Sequence, residues 1–407
     1  MTTETTNEEK RVAIYNNQNP TVSNTVTAAT PWSELNLNWT ERDLPEGVRT
    51  KHVHRLHPYL GKYIPQLVEI FLRKCFQAGQ TVFDPFMGSG TTLVQAKELG
   101  IHSLGYDISA FNVLLSRAKT NTYNLERVEW EIHDALNQAQ SRLSPEFSTL
   151  PLFDPEIIAA MNSDDYLRMW FAPRALAELV IYRDVVAQGE YEYKDLLKVI
   201  LSRAARSARL TTHFDLDFPK RPQTAPYHCY KHARTCTPIT EAFKFLNRYS
   251  IDTLERIREF ASVSTEVSSK ACHADSRFTP IPPIHGVITS PPYVGLIDYH
   301  AQHAYAYHLL GLEDLRTQEI GPATGGTSQR AKKQYQADIA MAFQNALDAM
   351  PVGAPLIVVA GDKHNLYEDI ARVLSVEVET ILERHVNRRT GRRSGEFYEK
   401  VFIWRKV

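Results

Sequence analysis

A short apolar run, Thr81–Asp84, passes directly into Pro85-Phe86-Met87-Gly88-Ser89-Gly90 and then into a helical pattern over Thr92–Leu99. Four residues are too few for a helix and suit a buried strand, and Gly88 and Gly90 demand a tight loop. Gly100 sits where a helix ends, and SLGYD (Ser103–Asp107) reads as a second strand. Strand, glycine loop, helix and strand make one βαβ unit, which commits the chain to a parallel sheet flanked by helices. A helical pattern precedes the unit: Ile64, Leu67, Val68, Phe71, Leu72 and Cys75 share one face of Ile64–Phe76.

The loop is selective about what it can hold. Gly88-Ser89-Gly90-Thr91-Thr92-Leu93 lacks the third glycine of a dinucleotide fingerprint and the lysine of a phosphate-binding Walker loop. Glycines let backbone approach a ligand without a Cβ. Asp107 closes the next strand about 20 residues on, where a carboxylate can accept from both hydroxyls of a ribose. A nucleoside cofactor without a pyrophosphate is the expectation.

The sheet pattern returns late in the chain. GVITS (Gly286–Ser290) and APLIVVAGD (Ala354–Asp362) read as buried strands. VETILERHVN and EFYEKVFIWRK read as a strand pair joined by the basic turn RRTGRRSG. Between the two halves, residues 127–263 are mostly helical by periodicity, as in Tyr193–Leu210 and Ile239–Phe260. A Pro-, His- and Arg-rich loop, His213–Pro238, interrupts them. The expected organisation is a disordered arm over 1–30, a first catalytic segment over 31–126, a helical insertion over 127–263 and a second catalytic segment over 264–407. The fold class is α/β, a Rossmann-like, mostly parallel sheet with a mainly helical insertion.

DPFMGSGTT (Asp84–Thr92) resembles the S-adenosylmethionine motif of amino-group DNA methyltransferases, and Thr289-Ser290-Pro291-Pro292-Tyr293 resembles their catalytic tetrapeptide. HPYLGKYIP (His57–Pro65) is similar to the segment preceding the cofactor loop in that family, and ADSRF (Ala274–Phe278) to the acidic segment after the third strand. The resemblance spans 50–120 and 270–407 and leaves out 127–263, the place where members with this motif order often carry target recognition. It implies S-adenosylmethionine as cofactor, held by Asp84, Pro85, Phe86, Gly88, Ser89, Gly90, Thr91 and Thr92 around the methionine part. Asp107 and Ile108 would face the ribose, and Asp275 and Ser276 the adenine amino group.

The same resemblance implies catalysis at Ser290, Pro291, Pro292 and Tyr293. An exocyclic base amine is a poor nucleophile because its lone pair is delocalised. The Ser290 hydroxyl and the Pro291 carbonyl offer two acceptors for its hydrogens, in a loop stiffened by consecutive prolines. Tyr293 offers a flat face for stacking. Serine in the first position favours cytosine N4 over adenine N6. An RNA guanine-N2 enzyme shares such a sheet, but no RNA-binding module is recognisable here.

Net charge is −1, so any nucleic-acid face must be local. Two segments are basic. Arg203–Arg234 carries Arg203, Arg206, Arg209, Lys220, Arg221, Lys231 and Arg234 against Asp215 and Asp217. Arg384–Val407 carries Arg388, Arg389, Arg392 and five further cations against Glu396 and Glu399. Arg203, Arg206, Arg209, Lys220, Arg221, Arg234, Arg388, Arg389 and Arg392 are the candidate contacts to double-stranded DNA. The expected partners are DNA and a cognate restriction endonuclease, with no membrane. Four cysteines with no close-spaced framework point to a reducing cytoplasm. His228, Cys229, His232 and Cys236 cluster in sequence, but their spacing is not that of common zinc fingers or ribbons, so no metal is expected.

Overall fold

A computed structural model describes residues 19–143, 164–213, 215–216, 219–295, 298–322, 325–386 and 397–407. Counting helices of seven residues or more, the chain runs α1 (Pro65–Cys75), β1 (Thr81–Asp84), α2 (Thr91–Glu98), β2 (His102–Asp107), α3 (Ala110–Thr120) and α4 (Leu125–Leu143). It continues with α5 (Pro173–Gln188), α6 (Lys194–Ala208), β3 (Tyr227–Cys229), β4 (Arg234–Cys236) and α7 (Phe243–Ala261). It ends with β5 (Ser269–His273), β6 (Gly286–Thr289), α8 (Ala304–Leu310), α9 (Gln329–Asp348), β7 (Pro355–Ala360), α10 (Leu366–Leu374), β8 (Glu377–His385) and β9 (Tyr398–Arg405).

Seven strands form one sheet in the order β5-β2-β1-β6-β7-β9-β8. The first five are parallel, and β9 runs antiparallel to both β7 and β8. The fold is therefore the Rossmann-like α/β class expected. The central strands are apolar on both faces because helices cover both. Phe83, Val287, Leu356, Val358, Phe402 and Trp404 meet α9 and α10 on one face. Val82, Ile288, Ile357, Val359, Val401 and Ile403 meet α1 on the other.

The strand limits agree with the sequence reading to within a residue or two, and one other expectation shifts. Residues 19–30 do not behave as a loose arm: Val26 is buried with Leu35 and Leu37 in the core under α1, and Ser23 bonds Glu69. Residues 1–18 lie outside the described part. Helix α9 starts at Gln329, capped by Ser328, whose hydroxyl accepts from Ala331 N. Strand β5 has no apolar run because it is an edge strand with one buried residue, Ala271.

The helices of 127–263 do not form a core of their own. Leu176, Leu179, Leu197, Ile200, Leu254 and Ile257 pack in one cluster with Phe111, Leu114 and Leu115 of α3 and with Val53 and Leu56. Two buried carboxylates hold this layer in register. Glu131 of α4 accepts from the backbone N–H of Glu192 (2.8 Å) and Tyr193 (2.9 Å) at the start of α6. Glu178 of α5 accepts from Ala242 N (2.6 Å) and Phe243 N (2.7 Å) at the start of α7. Each meets free N–H donors at the positive end of a helix dipole. Glu131→Ala strands those donors and Arg127, and should lower the unfolding free energy by about 2 kcal/mol in a urea titration.

Candidate active site

Strand order decides where a ligand can sit. From β1 the chain winds outward through β2 to β5, and from β6 it winds the other way to β7. The crevice at the carboxyl ends of β1 and β6 is the switch point where open α/β sheets bind ligands. Parallel pairing delivers four loops to that edge: those after Asp84, Asp107, His273 and Thr289.

Asp84 organises the crevice without facing it. Its carboxylate is 1% exposed. One oxygen accepts from Phe86 N (3.1 Å) and Thr289 Oγ1 (2.7 Å). The other accepts from Tyr63 Oη (3.0 Å) and Thr92 Oγ1 (2.7 Å). The first turn of α2, the segment before α1 and strand β6 are thus tied to the end of β1. Burial raises the Asp84 pKa, opposed by these four donors.

The crevice opens into a cavity at this edge of the sheet. Pro85, Phe86, Gly88, Ser89, Thr91, Asp107, Ile108, Asp275, Ser276, Ser290 and Pro292 line it, so the sequence motifs do converge. Asp84, Gly90 and Thr92 stand behind its wall. Gly90 turns the chain at φ +77°, and a Cβ there would come within 2.7 Å of Ser116 Oγ. Asp107 accepts from Gly88 N (2.9 Å), Ser109 N (2.8 Å) and the Asn112 amide (3.2 Å). Burial pushes its pKa up to about 6. Ser89 Oγ and Asn112 Oδ1 are buried without a protein partner, two polar atoms at the cavity wall left for a ligand to satisfy.

Sequence reasoning assigned no role to Tyr59, Lys62, Tyr63, Ser109, Asn112 or Gln318–Ile320, which also line the cavity. Lys62 donates to His54 O (2.9 Å), and burial brings its pKa down to about 8. As the one cation of His57–Pro65 it carried a readable signal; the 318–320 segment carried none.

Asp275 is held in a fork by Arg277, whose Nη2 lies 2.6 Å and Nε 3.0 Å away, while Nη1 reaches Asp338 (3.0 Å). Ser276 Oγ donates to Pro85 O (2.7 Å), joining the third loop to the first. Pro291 is buried, and the Pro292 carbonyl accepts from Tyr335 Oη (2.9 Å). Tyr293 lies outside the cavity lining; its hydroxyl donates to Glu399 of β9 (2.9 Å), and its ring packs against Phe397.

The family described as DNA methylase, N6_N4_Mtase, matches residues 6–117. A type II methyltransferase of Methanocaldococcus jannaschii, M.MjaII, is 34% identical over 88% of this chain and 81% of its own. M.BsoBI of Geobacillus stearothermophilus, another type II methyltransferase, is 23% identical over 68% of this chain and 56% of its own. M.MvaI of Kocuria varians, also a type II methyltransferase, is 26% identical over 38% of this chain and 34% of its own. The chain belongs to the N6/N4 family of DNA methyltransferases.

Within this methyltransferase the basic candidates divide. Arg209 is 2% exposed; it bonds Leu216 O and lies 4.4 Å from the Tyr305 ring, so it builds the core rather than a phosphate contact. Arg203 pairs with Asp252 and covers the Tyr249 ring, and Arg206 is half-buried beside it. These three lie on or just after α6, whose apolar face is buried, and helical spacing turned them inward. Lys220, Arg221 and Arg234 are exposed. Arg388, Arg389 and Arg392 lie outside the described residues. In the sequence cluster of His and Cys, His228 is exposed against Tyr230, and His213 occupies the place expected for it.

The ties to Asp84 are testable. Asp84→Ala leaves three hydroxyls without their acceptor and should cost about 3 kcal/mol of stability, Thr289→Val about 1 kcal/mol. Urea unfolding measures both, and equal effects would show that Asp84 is not the common anchor.

Proposed function

We propose that this methyltransferase transfers a methyl group from S-adenosylmethionine to N4 of cytosine, flipped out of double-stranded DNA, at a specific sequence. The observation that carries this reading is that Asp107 and Ser290 line one cavity at the switch point of the sheet. S-adenosylmethionine supplies an electrophilic methyl group when bound. The residues present fit it: two orphaned polar atoms, a backbone loop that approaches closely, and carboxylates at two ends.

In this reading Asp107 accepts from the ribose hydroxyls, Ile108 packs on the adenine, and Asp275 accepts from its amino group. Phe86, Ser89 and Thr91 wall the methionine end, where the Lys62 ammonium faces the carboxylate. The Ser290 hydroxyl and Pro291 carbonyl take the two amine hydrogens. They draw the nitrogen toward sp³ and free its lone pair, a contact that strengthens in the transition state. Tyr293, anchored through its hydroxyl to Glu399, stacks on the extruded base. Exposed Lys220, Arg221 and Arg234 contact phosphates, with the basic turn at Arg388, Arg389 and Arg392 as the second contact. The type II names of the relatives favour a cognate endonuclease reading the same site.

Nucleoside mass spectrometry of DNA methylated by the protein should show N4-methylcytosine. N6-methyladenine alone would overturn the cytosine assignment, and 5-methylcytosine the amino-transfer chemistry. Ser290→Ala should lower kcat more than DNA affinity.

Cofactor affinity should be bell-shaped in pH. Asp107 must be ionised to accept and Lys62 protonated to face a carboxylate. Affinity therefore falls below about 6, where Asp107 gains a proton, and above about 8, where Lys62 loses one. Calorimetry from about pH 5 to about pH 9 reads both limbs. Lys62→Met should remove the alkaline limb alone, and Asp107→Ala should weaken binding by about 1.5–3 kcal/mol.

Replacing Lys220, Arg221 and Arg234 together with Ala should reduce the salt slope of DNA binding by up to about 0.9 for each phosphate no longer neutralised. Cofactor affinity should not change. An unaltered slope would move the phosphate-binding face elsewhere.

A further inference from the structure

Between α6 and α7 the chain makes a long excursion whose only strands among the described residues are β3 and β4. Over 212–241 the buried side chains among the described residues are Cys229 and Cys236. A connection of this length without an apolar core needs another constraint to hold one conformation. Its exposed cations Lys220, Arg221, Lys231 and Arg234 make its conformation matter for DNA.

Four side chains converge at its centre. His213, Cys229, His232 and Cys236 each aim one ligand atom at a common point, all within 4.8 Å of one another. Cys229 Sγ lies 3.6 Å from His213 Nδ1 and 3.7 Å from His232 Nδ1, and Cys236 Sγ lies 3.5 Å from His232 Nδ1. Tetrahedral zinc, with bonds of about 2.3 Å to sulfur and about 2.0–2.1 Å to nitrogen, sets its S···N edges at about 3.5 Å. Those edges match what the side chains already show.

The local sequence explains the geometry. The ribbon pairs Cys229 with Arg234 and Tyr227 with Cys236, which puts both cysteines on one face of it, diagonally across the two strands. The turn between them closes with His232 N donating to Cys229 O (3.2 Å) and Ala233 at φ +49°, which returns His232 over the thiols. His213 arrives from the far end of the excursion. Tyr227 Oη accepts from its backbone N–H (3.1 Å), which holds His213 beside the ribbon; the same hydroxyl lies 2.8 Å from Nδ1, a contact that a metal on that nitrogen would replace.

We propose that His213, Cys229, His232 and Cys236 form a structural zinc site that staples the excursion of the helical layer. Four protein ligands close the coordination sphere and leave no position for water or substrate, so the site is structural. On binding, the two thiols release their protons to solvent, and the two thiolates balance the charge of the ion. A Cys229–Cys236 disulfide would use the same sulfurs and leave the two imidazoles without a role.

The full chain, purified without chelator or affinity histidines, should carry about one zinc per molecule by elemental mass spectrometry. Cobalt(II) added to the metal-stripped chain should give the visible bands of a tetrahedral site with a thiolate charge-transfer band. Cys236→Ser and His213→Ala should each weaken metal retention at least about tenfold, whereas His228→Ala retains it. Absence of both stoichiometric zinc and the tetrahedral cobalt spectrum in the wild-type chain overturns the proposal. So does a Cys229–Cys236 disulfide in freshly purified protein, or loss of metal in His228→Ala but not in His213→Ala. Should a ligand variant fail to fold, the cobalt titration of the wild-type chain still decides.

Discussion

The buried carboxylate of Asp84 is the constraint on which the active edge depends. A carboxylate inside a sheet is tolerable only when every acceptor site is met by a donor, and here the donors come from four different segments. Thr289 is one of them and immediately precedes Ser290-Pro291-Pro292-Tyr293. The position of Ser290 relative to the glycine loop is therefore fixed by hydrogen bonds made behind the cavity. Asp84 stands in the most recognisable motif of the chain, yet its side chain serves as an anchor for the groups around the ligand.

The second layer follows a related logic. The helices of 127–263 share their apolar core with α3, the helix that presents Ser109 and Asn112 to the cavity. Glu131 and Glu178 cap helices across this layer, so the helical layer and the elements lining the cavity are packed as one body. The excursion between α6 and α7 stands apart, because it contributes almost nothing to that core and holds its shape through polar and sulfur groups instead.

Much of this was legible in the sequence. The central parallel strands are buried on both faces, which produces continuous apolar runs such as Thr81–Asp84 and Pro355–Ala360. The glycines of the first loop mark where backbone must turn tightly. Ser290-Pro291-Pro292-Tyr293 follows a strand, so its place at a strand end could be read from adjacency alone. Edge strand β5, with its single buried residue, left no such trace.

What sequence could not decide is which side chains meet across distance in the chain. Arg203, Arg206 and Arg209 looked like a basic face, because charge is visible in a sequence and helix orientation is not. Packing turned Arg203 and Arg209 inward, toward Asp252 and two tyrosine rings, and left Arg206 half-buried. His228 sits beside Cys229 in sequence, but a strand sends adjacent side chains to opposite faces, and His213 from the far end of the loop takes the place instead. Local periodicity and motif chemistry determined the class of fold and the chemistry of its active edge. The closure of the sheet, the partners of Asp84 and the grouping of His213 with two cysteines were decided by tertiary contacts, because those energies belong to pairs of residues that no local window contains.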